Sequence, residues 1–493
     1  MYPRLEESRI FSNQLRQFWS DLIIQYRGFS IRVFFVFLVL VMSIVVPYLL
    51  STNIQLALAL VGIPIFLFAF NYVTQWSGMG MAIILVSSLF LGLEIGTGTD
   101  SSINSGMIIL LAMVGLWVLR IVGGDSQIQI KDYDTFIPLA LFVAFSIVSF
   151  LAGQITWYTF AEETSIAAQV GGLGVFVLSA FAYWFTANQV DDPFWLKLGL
   201  TVLVTAGFIY FLSRIIPGEG GRILGLLIPR GASGSMLFLW SGCMALGQAL
   251  FNKKMSPLLR GICLLIPALA FYVAFFILRG WVSGYLPLLA AIGIVIWLAY
   301  PRLGVLMGGV VAILFFFQLQ SILEQYLFVG DNAYSLGTRL DAWEILGEIT
   351  SISPLFGLGP ANYYNVTPLF PIRGYAVQFN SHSQYVDLYA QVGIVGLVLF
   401  IWFFWRVSKL SWNLGSQITE YNFEKGYVMG VTGGIIGTLV AAGLGDWVIP
   451  FVYNIGFSGF RSSLICWLFM GGLVAIKHFH SMKNEQIPQV AQN

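Results

Sequence analysis

The sequence predicts an all-α membrane protein that crosses the bilayer many times, and two observations carry this prediction. Of the 493 residues, 58% are hydrophobic and only 10% are charged, whereas a soluble globule needs about a quarter of charged residues to cover its surface. The apolar residues fall into about fourteen segments (range about 12 to 14), each close to the roughly 20 residues that a helix needs to cross the hydrocarbon core. A polytopic transmembrane helical protein with a partly helical outer loop is therefore expected.

Eleven predicted spans precede one long polar segment, and three follow it. The spans centre on 31–50, 55–74, 79–95, 106–122, 135–152, 168–187, 195–213, 233–251, 259–278, 282–300, 303–321, 389–407, 427–445 and 457–476. The predicted organisation is an N-terminal cytoplasmic or interfacial segment 1–30, transmembrane helices 1–11 in 31–321, a large extracytoplasmic loop 322–388, transmembrane helices 12–14 in 389–476, and a cytoplasmic tail 477–493.

The distribution of Lys and Arg predicts the orientation, because short cytoplasmic loops retain cations. Placing both termini in the cytoplasm leaves seven of the 24 cations outside, all of them arginines. They are Arg214, Arg222, Arg230, Arg279, Arg339, Arg373 and Arg461. Arginine grips phosphate with a rigid fork, so some of these residues are candidate anion ligands. The net charge of +1 gives no electrostatic case for binding nucleic acid.

The outer loop holds His382, the only histidine outside the C-terminal tail. Arg339, Trp343 and Leu346 recur at helical spacing, which predicts an amphipathic helix over 338–351, ended by Pro354. Ser381 to Gln384 match an S-x-x-Q capping box, which predicts that Ser381 caps the twelfth span and that His382 lies in its first turn.

Four motifs follow one another through this region. They are Arg339 with Trp343, the turn Pro354–Asn362, His382, and the run Gln391–Leu397. In this order and spacing they resemble the O-antigen ligase and polymerase family, from Gly337 to about Arg406. The chain has Ser383 where that family usually has Asn, and Ser283-Gly284 where it often has a Ser-Arg pair. Arg279 lies just upstream and could take the place of that arginine.

The resemblance implies a membrane-embedded glycosyltransferase of the GT-C type, in the bacterial plasma membrane. It implies a polyprenyl-diphosphate-linked glycan as donor, a lipid or glycan as acceptor, an extracytoplasmic active site, and no metal or cofactor. By that analogy His382 is the general base and Arg339 holds the diphosphate. The remaining predicted substrate-binding residues are Arg279, Arg222, Arg230, Trp343 and Tyr385.

The residue chemistry supports these roles without the family. Sugar transfer from a lipid diphosphate needs a base for the acceptor proton and a fixed cation for the charge that appears on the departing phosphate. Imidazole titrates near neutral pH, and a position at a helix N-terminus disfavours its charged form. One outer His and one outer Arg therefore suit the two roles.

Several alternatives remain open from the sequence. Without the motif context, His382 could be an ordinary interfacial histidine, and Arg339 could simply pair with Asp341 or Glu344. Glu344 and Glu348 could share a helix face as metal ligands, but a solvated face is the favoured interpretation. Among the aromatic residues, four could stack on sugar rings or form an interfacial belt: Tyr363, Tyr364, Tyr375 and Phe379.

Asp446 and Arg461 are predicted to form an ion pair between the last two spans. For the whole chain, the alternatives are a polymerase of lipid-linked repeat units, a membrane transporter such as a bicarbonate carrier, and a non-catalytic membrane subunit. A transporter predicts ionisable residues and broken helices near the middle of the membrane.

Overall fold

The computed structural model describes residues 78–96, 102–123, 130–278, 281–309, 313 and 330–490. They belong to one compact unit that begins at Trp76. The predicted spans at 31–50 and 55–74, most of the span at 303–321, the interfacial segment 1–30 and the predicted ligand Arg279 lie outside the described residues.

The described residues form helices joined mostly by short loops, with one two-stranded antiparallel sheet. The elements are α1 (Met79–Phe90), β1 (Glu94–Gly96), β2 (Ser102–Asn104), α2 (Ser105–Gly123), α3 (Tyr133–Ala152), α4 (Ile166–Gln189), α5 (Pro193–Ile215), α6 (Gly218–Leu226), α7 (Ser235–Phe251), α8 (Pro257–Tyr272) continued by a π-helical turn (Val273–Ile277), α9 (Val282–Ala299), α10 (Gly330–Thr350), α11 (Tyr363–Val366) followed by a 3-10 turn (Thr367–Leu369), α12 (Gln384–Gln417), α13 (Phe423–Leu444) and α14 (Gly456–Val490).

Nine of the helices in the described residues are long and apolar enough to cross a membrane: α2, α3, α4, α5, α8 with its π turn, α9, α12, α13 and α14. Two shorter apolar helices, α1 and α7, accompany them. The predicted all-α polytopic membrane fold is confirmed.

Side-chain caps fix where several of these helices begin. The capping residues precede α3, α4, α5, α8 and α13, and each accepts a hydrogen bond from a backbone N–H of the first turn: Asp132, Ser165, Asp192, Ser256 and Asn422. These side chains satisfy donors that the helix itself leaves without a partner. The polar residues between apolar runs thus set the helix boundaries.

Helix α14 is the most buried span, since every residue of its apolar window is enclosed by the rest of the molecule. Small residues allow its neighbours to approach. A Cβ added at Gly471 would lie 2.4 Å from the Tyr183 carbonyl oxygen of α4. Likewise, a Cβ at Gly247 of α7 would lie 2.4 Å from the Gly426 carbonyl oxygen of α13. Close backbone contact of this kind holds membrane helices together where lipid provides no hydrophobic driving force.

The polar segment between α9 and α12 contains the predicted amphipathic helix, which is α10. The prediction of its end is correct to one residue, but α10 begins at Gly330, eight residues before the predicted start. Leu346 and Ile349 are fully buried, whereas Glu344 and Glu348 are exposed. The buried face packs on Tyr363 and on Phe451 of the α13–α14 loop, so this segment shares its core with the rest of the protein.

The turn Pro354–Asn362, called the glycine turn below, is hydrogen-bonded to the run Gln391–Leu397 in α12. This contact between the two segments is called the joint. Helix α12 is broken at Gly393, whose φ of 65° and ψ of −174° are open only to glycine. Into this break the turn donates from Leu358 N to the Ala390 carbonyl oxygen at 2.9 Å and from Gly359 N to the Gln391 carbonyl oxygen at 3.0 Å.

Both sides of the joint exclude side chains. A Cβ at Gly393 would lie 2.2 Å from the Leu355 carbonyl oxygen, and one at Gly357 would lie 2.6 Å from the Gly393 nitrogen. Asn362 fastens the turn to the end of α3 by donating to the Gly153 carbonyl oxygen at 3.0 Å. The motif glycines are therefore structural, and they fix the segment that leads to His382.

The predicted ion pair between Asp446 and Arg461 is wrong. The Arg461 guanidinium, fully buried, donates to the carbonyl oxygens of Leu91 at 2.6 Å and Leu93 at 3.0 Å, and it lies 3.5 Å from Glu94. A cation is favourable at these carbonyl groups because they end helix α1 and carry partial negative charge. Arg461 thus binds the β1–β2 hairpin rather than α13.

We expect Gly393→Ala to lower the thermal unfolding midpoint of the protein in detergent. The new methyl group must adopt a glycine-only conformation and meet a backbone oxygen, at a cost of at least about 2 kcal/mol. Gly347→Ala is the matched control, because a Cβ at that position of α10 meets open space and alanine favours helix. Unfolding of Gly393→Ala at the wild-type temperature would contradict the backbone joint.

Candidate functional site

His382 lies immediately before α12, not inside it. The helix begins at Gln384 with Ser383 as its N-cap, and Ser383 makes no side-chain capping bond. The predicted capping box is therefore wrong by two residues. Ser381 instead bends the chain: its hydroxyl accepts a hydrogen bond from Ser383 N at 2.9 Å.

The backbone of His382 is left-handed, with φ of 48°. Its N–H donates to the Asn380 side-chain oxygen at 3.1 Å. Such a conformation costs a residue other than glycine of order 1 kcal/mol or more and persists where surrounding contacts enforce it. The contacts of residues 380–383 must therefore hold His382 in this conformation.

A buried carboxylate supplies the main contact below His382. Asp387, one turn into α12, is 1% exposed. Its Oδ1 accepts hydrogen bonds from the Tyr363 hydroxyl at 2.5 Å and from the Ser381 hydroxyl at 2.8 Å. Burial of the ring and the nearby Asp387 carboxylate raise the pKa of Tyr363 well above its ordinary value, so the phenol remains a donor.

A second buried carboxylate lies close to the first. Asp446 accepts hydrogen bonds from Phe451 N at 2.7 Å and from the Asn454 side-chain nitrogen at 2.5 Å. Burial raises its pKa to about 6. The other oxygen of Asp387, Oδ2, is buried without a hydrogen-bond partner. The two acids thus lie near each other, and Asp387 is bonded to the loop that carries His382.

Trp343 connects α10 to the same loop. Its indole N–H donates to the carbonyl oxygen of Ser381 at 2.8 Å. Arg339 lies one turn earlier on the same helix, so this bond brings the Arg339 turn against the residue that precedes His382. The structure thus places His382 and Arg339 at one site.

The Arg339 guanidinium is half-buried, and no ion pair to it occurs within the part of the chain that the structure describes. The alternative that Arg339 pairs with Asp341 is wrong, because Asp341 Oδ2 lies 2.6 Å from Nε of Arg373. Burial lowers the pKa of Arg339, yet a guanidinium stays charged at neutral pH. Arg339 is therefore available to bind an anion.

Electrostatics favour the neutral form of the imidazole. The His382 residue is exposed to solvent, but protein atoms surround part of its ring. This partial burial of the ring and the positive charge of Arg339 both lower the pKa of His382 from 6.5. A neutral imidazole accepts a proton, which is the form that a general base requires. Burial and the neighbouring cation thus both favour the neutral imidazole.

Of the other predicted ligands, Tyr385 and Arg222 have partners within the protein. The Tyr385 hydroxyl donates to the Leu439 carbonyl oxygen of α13 at 2.7 Å. Arg222, in α6, lies 2.9 Å from Glu219, and Arg230 is exposed in the α6–α7 loop. The substrate-binding roles of Trp343, Tyr385, Arg222 and Arg230 stay predictions.

Of the four aromatic residues considered for sugar stacking, Tyr363 is fully buried and stacks on Phe451 at 4.8 Å between ring centres. Its ring is closed to a ligand, so that prediction is wrong. Tyr364 stacks on Tyr453 at 4.6 Å, and Tyr375 is 66% exposed. Tyr364 and Phe379 are half-buried, so Tyr375 is the most exposed of the four rings.

Two cavities lie elsewhere. One of about 370 Å³ is lined by the α3–α4 loop, with Glu162 and Glu163, and by Leu358, Asn362 and Val366. A smaller one, of about 110 Å³, lies at the far end of α12. Neither includes His382 or Arg339 in its lining. Among the described residues, no group of three or more His, Cys, Asp or Glu side chains is placed to hold a metal ion.

The sequence reasoning missed Asp387 and Tyr363 as supports of the site. An acidic residue immediately before the predicted span at 389–407 was a usable signal, because an ionisable group at a span is costly and usually functional. Tyr363 gave no comparable signal, since aromatic residues abound in this segment.

The family comparison matches this part of the chain. Residues 267–401 match the family model described as O-Antigen ligase. This segment is similar to the O-antigen ligase family. It contains all four motifs, namely Arg339 with Trp343, the turn Pro354–Asn362, His382 and the run Gln391–Leu397, so the resemblance predicted from them is confirmed. No curated protein matches the chain at a significant level.

The domain supports a ligase-like or polymerase-like function on lipid-linked glycans, and it agrees with an integral membrane protein. The match extends upstream of α10 through α9, and it also spans the position of Arg279. The His382 and Arg339 pair lies at the centre of its second half.

We expect Arg339→Gln to raise the pKa of His382, because the nearby positive charge is removed. Diethyl pyrocarbonate modifies neutral imidazole only, so mass spectrometry of the peptide that contains His382 follows this titration without any activity assay. The pH of half-maximal modification should lie below 6.5 in the wild type and move upward in Arg339→Gln.

Arg339→Lys keeps a charge at this position and should leave the half-maximal pH nearly unchanged. Lys254→Gln, which removes a cation paired with Glu420 on the exposed surface, is the distant control. If Arg339→Gln and Lys254→Gln titrate alike, Arg339 does not act on His382.

Proposed function

We propose that this protein transfers a glycan from a polyprenyl-diphosphate carrier to an acceptor hydroxyl at the extracytoplasmic face of the membrane, as an O-antigen ligase of the GT-C type. One observation carries the proposal: within the segment that matches the O-antigen ligase family, Trp343 brings the turn of Arg339 against the loop of His382, where burial and the Arg339 charge lower the pKa of the imidazole. A base and an anion ligand therefore meet at one surface.

The proposed reaction is a direct displacement at the anomeric carbon. His382 takes the proton of the acceptor hydroxyl while the acceptor oxygen bonds to the anomeric carbon. The bond from that carbon to the diphosphate oxygen breaks, and the polyprenyl diphosphate leaves with the electron pair. Arg339 binds the diphosphate and stabilises the charge that develops there. The half-buried position strengthens this interaction relative to bulk water.

We propose that the reaction proceeds without a metal, with Arg339 supplying the positive charge. Glu344 and Glu348, the two acids of α10 considered as metal ligands, are both exposed, and Asp341 is bonded to Arg373. Arg222, Arg230 and Arg279 are proposed to assist at the diphosphate.

The proposed orientation places His382 outside and both termini inside, in the bacterial plasma membrane. Cations gather where α12 ends: Lys425 donates to the Ile418 carbonyl oxygen at 2.8 Å, and Lys409 and Lys477 line one cavity. Because cytoplasmic ends retain cations, the opposite end, with His382, is assigned to the outer face. The domain boundaries follow: 1–30 and 477–493 inside, 322–388 outside.

The transporter alternative is less well supported. It predicts a broken helix whose free carbonyl groups coordinate an ion, and α12 is broken at Gly393. However, the carbonyl oxygens of Ala390 and Gln391 at this break accept hydrogen bonds from the glycine turn. The break is thus filled by protein, as expected for a docking joint.

The polymerase of the same family remains the nearest alternative, since both activities need the same base and cation. The acceptor distinguishes them. A ligase moves the glycan to a lipid or another molecule, whereas a polymerase lengthens the lipid-linked glycan itself. Analysis of the product that disappears when the gene is deleted separates the two.

We expect His382→Ala to reduce transfer by roughly 10² to 10⁴, because the general base is lost. The measurement is the glycan product on a gel, from cells that lack their own copy of the gene and carry the variant. His480→Ala in the tail is the matched control and should restore wild-type product. Undiminished product from inserted His382→Ala protein would refute the proposed base.

We expect Arg339→Lys to reduce transfer roughly 10²-fold, since a point charge does not reproduce the bidentate fork. Arg373→Lys is the matched control: its bond to Asp341 is partly exposed, and such pairs contribute at most about 1 kcal/mol. Equal activities of these two variants would remove Arg339 from the mechanism.

A further inference from the structure

The smaller cavity, of about 110 Å³, lies at the end of the bundle away from His382. It is lined by residues from α12, by the N-terminus of α3 and by the later part of α14: Asp132, Asp134, Arg406, Lys409, Leu410, Asn413, Leu414, Gln417 and Lys477. Arg406 lies 22 residues after Gln384, or about 30 Å along α12 at 1.5 Å per residue. The cavity is thus separate from the proposed active site.

The charged groups of this cavity differ in the strength of their ion pairs. Lys477 Nζ lies 2.6 Å from Asp132 Oδ1, and Asp132 is nearly fully buried, so this pair neutralises itself. Arg406 reaches Asp134 only at 3.5 Å, and Asp134 is 74% exposed. The Arg406 Nε is buried without a hydrogen-bond partner. This nitrogen therefore lacks the hydrogen bond that a buried polar group normally makes, although the guanidinium also lies 5.2 Å from the ring centre of Trp405.

Lys409 adds a second uncommitted cation. It is exposed, and its Nζ lies 5.9 Å from the ring centre of Trp405. No ion pair to Lys409 occurs within the described ranges of the chain. The amide groups of Asn413 and Gln417 line the same cavity and can donate hydrogen bonds. Cations and amide donors together suit an anion with several oxygen atoms.

The surroundings indicate that this anion is part of a lipid. Trp405 and Trp412 are 56% and 58% exposed on α12, and Tyr133 is 62% exposed at the start of α3. Exposed Trp and Tyr near the end of a span mark the level of the headgroups. The volume is below the roughly 300 Å³ of pockets for whole small molecules, yet it admits a phosphate. Basic pockets between spans are known to bind anionic headgroups.

We propose that this cavity binds the headgroup phosphate of an anionic phospholipid, with Arg406 and Lys409 as its ligands. The headgroup lies between α12 and α3, while the acyl chains lie along the exposed indoles. The lipid thereby ties the start of α3 to the end of α12. A free phosphate ion has the same oxygen chemistry, so the test must separate the two sources.

The test uses the full-length protein in detergent and measures the thermal unfolding midpoint. The added ligand is dioleoyl phosphatidylglycerol, dioleoyl phosphatidylcholine or inorganic phosphate at equal concentration. Binding to the folded state raises the midpoint. Phosphatidylglycerol should raise it most, and phosphate should have little effect. An equal shift with phosphate alone, or with phosphatidylcholine, would overturn the assignment to an anionic headgroup.

Two double variants test whether the lipid binds at this cavity. The double variant R406Q/K409Q should weaken the apparent affinity for phosphatidylglycerol roughly thirtyfold, at about fivefold per cation. K253Q/K254Q removes two cations near the same end, beside Tyr421 and Glu420, and should bind lipid as the wild type does. Equal losses in the two double variants would show unspecific attraction and overturn the site.

D134N provides an independent measurement should R406Q/K409Q unfold without lipid. Asp134 is exposed and competes for Arg406, so its neutralisation should strengthen phosphatidylglycerol binding without a loss of folded protein. Weaker or unchanged binding by D134N would contradict the proposal. Glycan transfer is not part of any of these measurements, so their outcome is independent of the proposed function.

Discussion

The site depends on a joint between two stretches of backbone. The turn at Pro354–Asn362 fits into the break of α12 at Gly393, and the hydrogen bonds that the helix loses there are restored by the turn. This replacement matters because an unpaired peptide group within a membrane protein costs several kcal/mol. The joint thus fixes both ends of the segment that contains His382: the turn before it and the helix after it.

Above this joint, burial and charge act on the same few residues. The buried carboxylate of Asp387 holds Ser381 and Tyr363, and Ser381 in turn binds the indole of Trp343 through its carbonyl oxygen. His382 lies between these anchors in a strained conformation. A flexible loop is thereby converted into a rigid support for one imidazole and one guanidinium, which is what positioned catalysis requires.

The two ends of α12 differ in their charge. At its start the acids are buried and the available cation is Arg339, whereas at its end the cations Arg406 and Lys409 have few partners. A span with a strained histidine loop at one end and a basic cavity at the other connects the proposed chemistry with the membrane surface.

The sequence by itself determined the fold class, because its apolar residues occur in repeated segments long enough to cross a membrane as helices. It also identified the motif residues, since Arg, Trp, His and paired glycines have few ordinary reasons to occur together. It did not determine the partners. Asp446 and Arg461 have opposite charges and similar predicted depth, yet each found nearer backbone groups. The capping box at Ser381 competed with a bond to Asp387 that links residues brought together by packing. The local sequence pattern indicates which segments are helices and which residues belong to the motifs. Tertiary structure alone decides the distances between residues that are far apart in the chain, and those distances determine the hydrogen-bond partners and the pKa shifts.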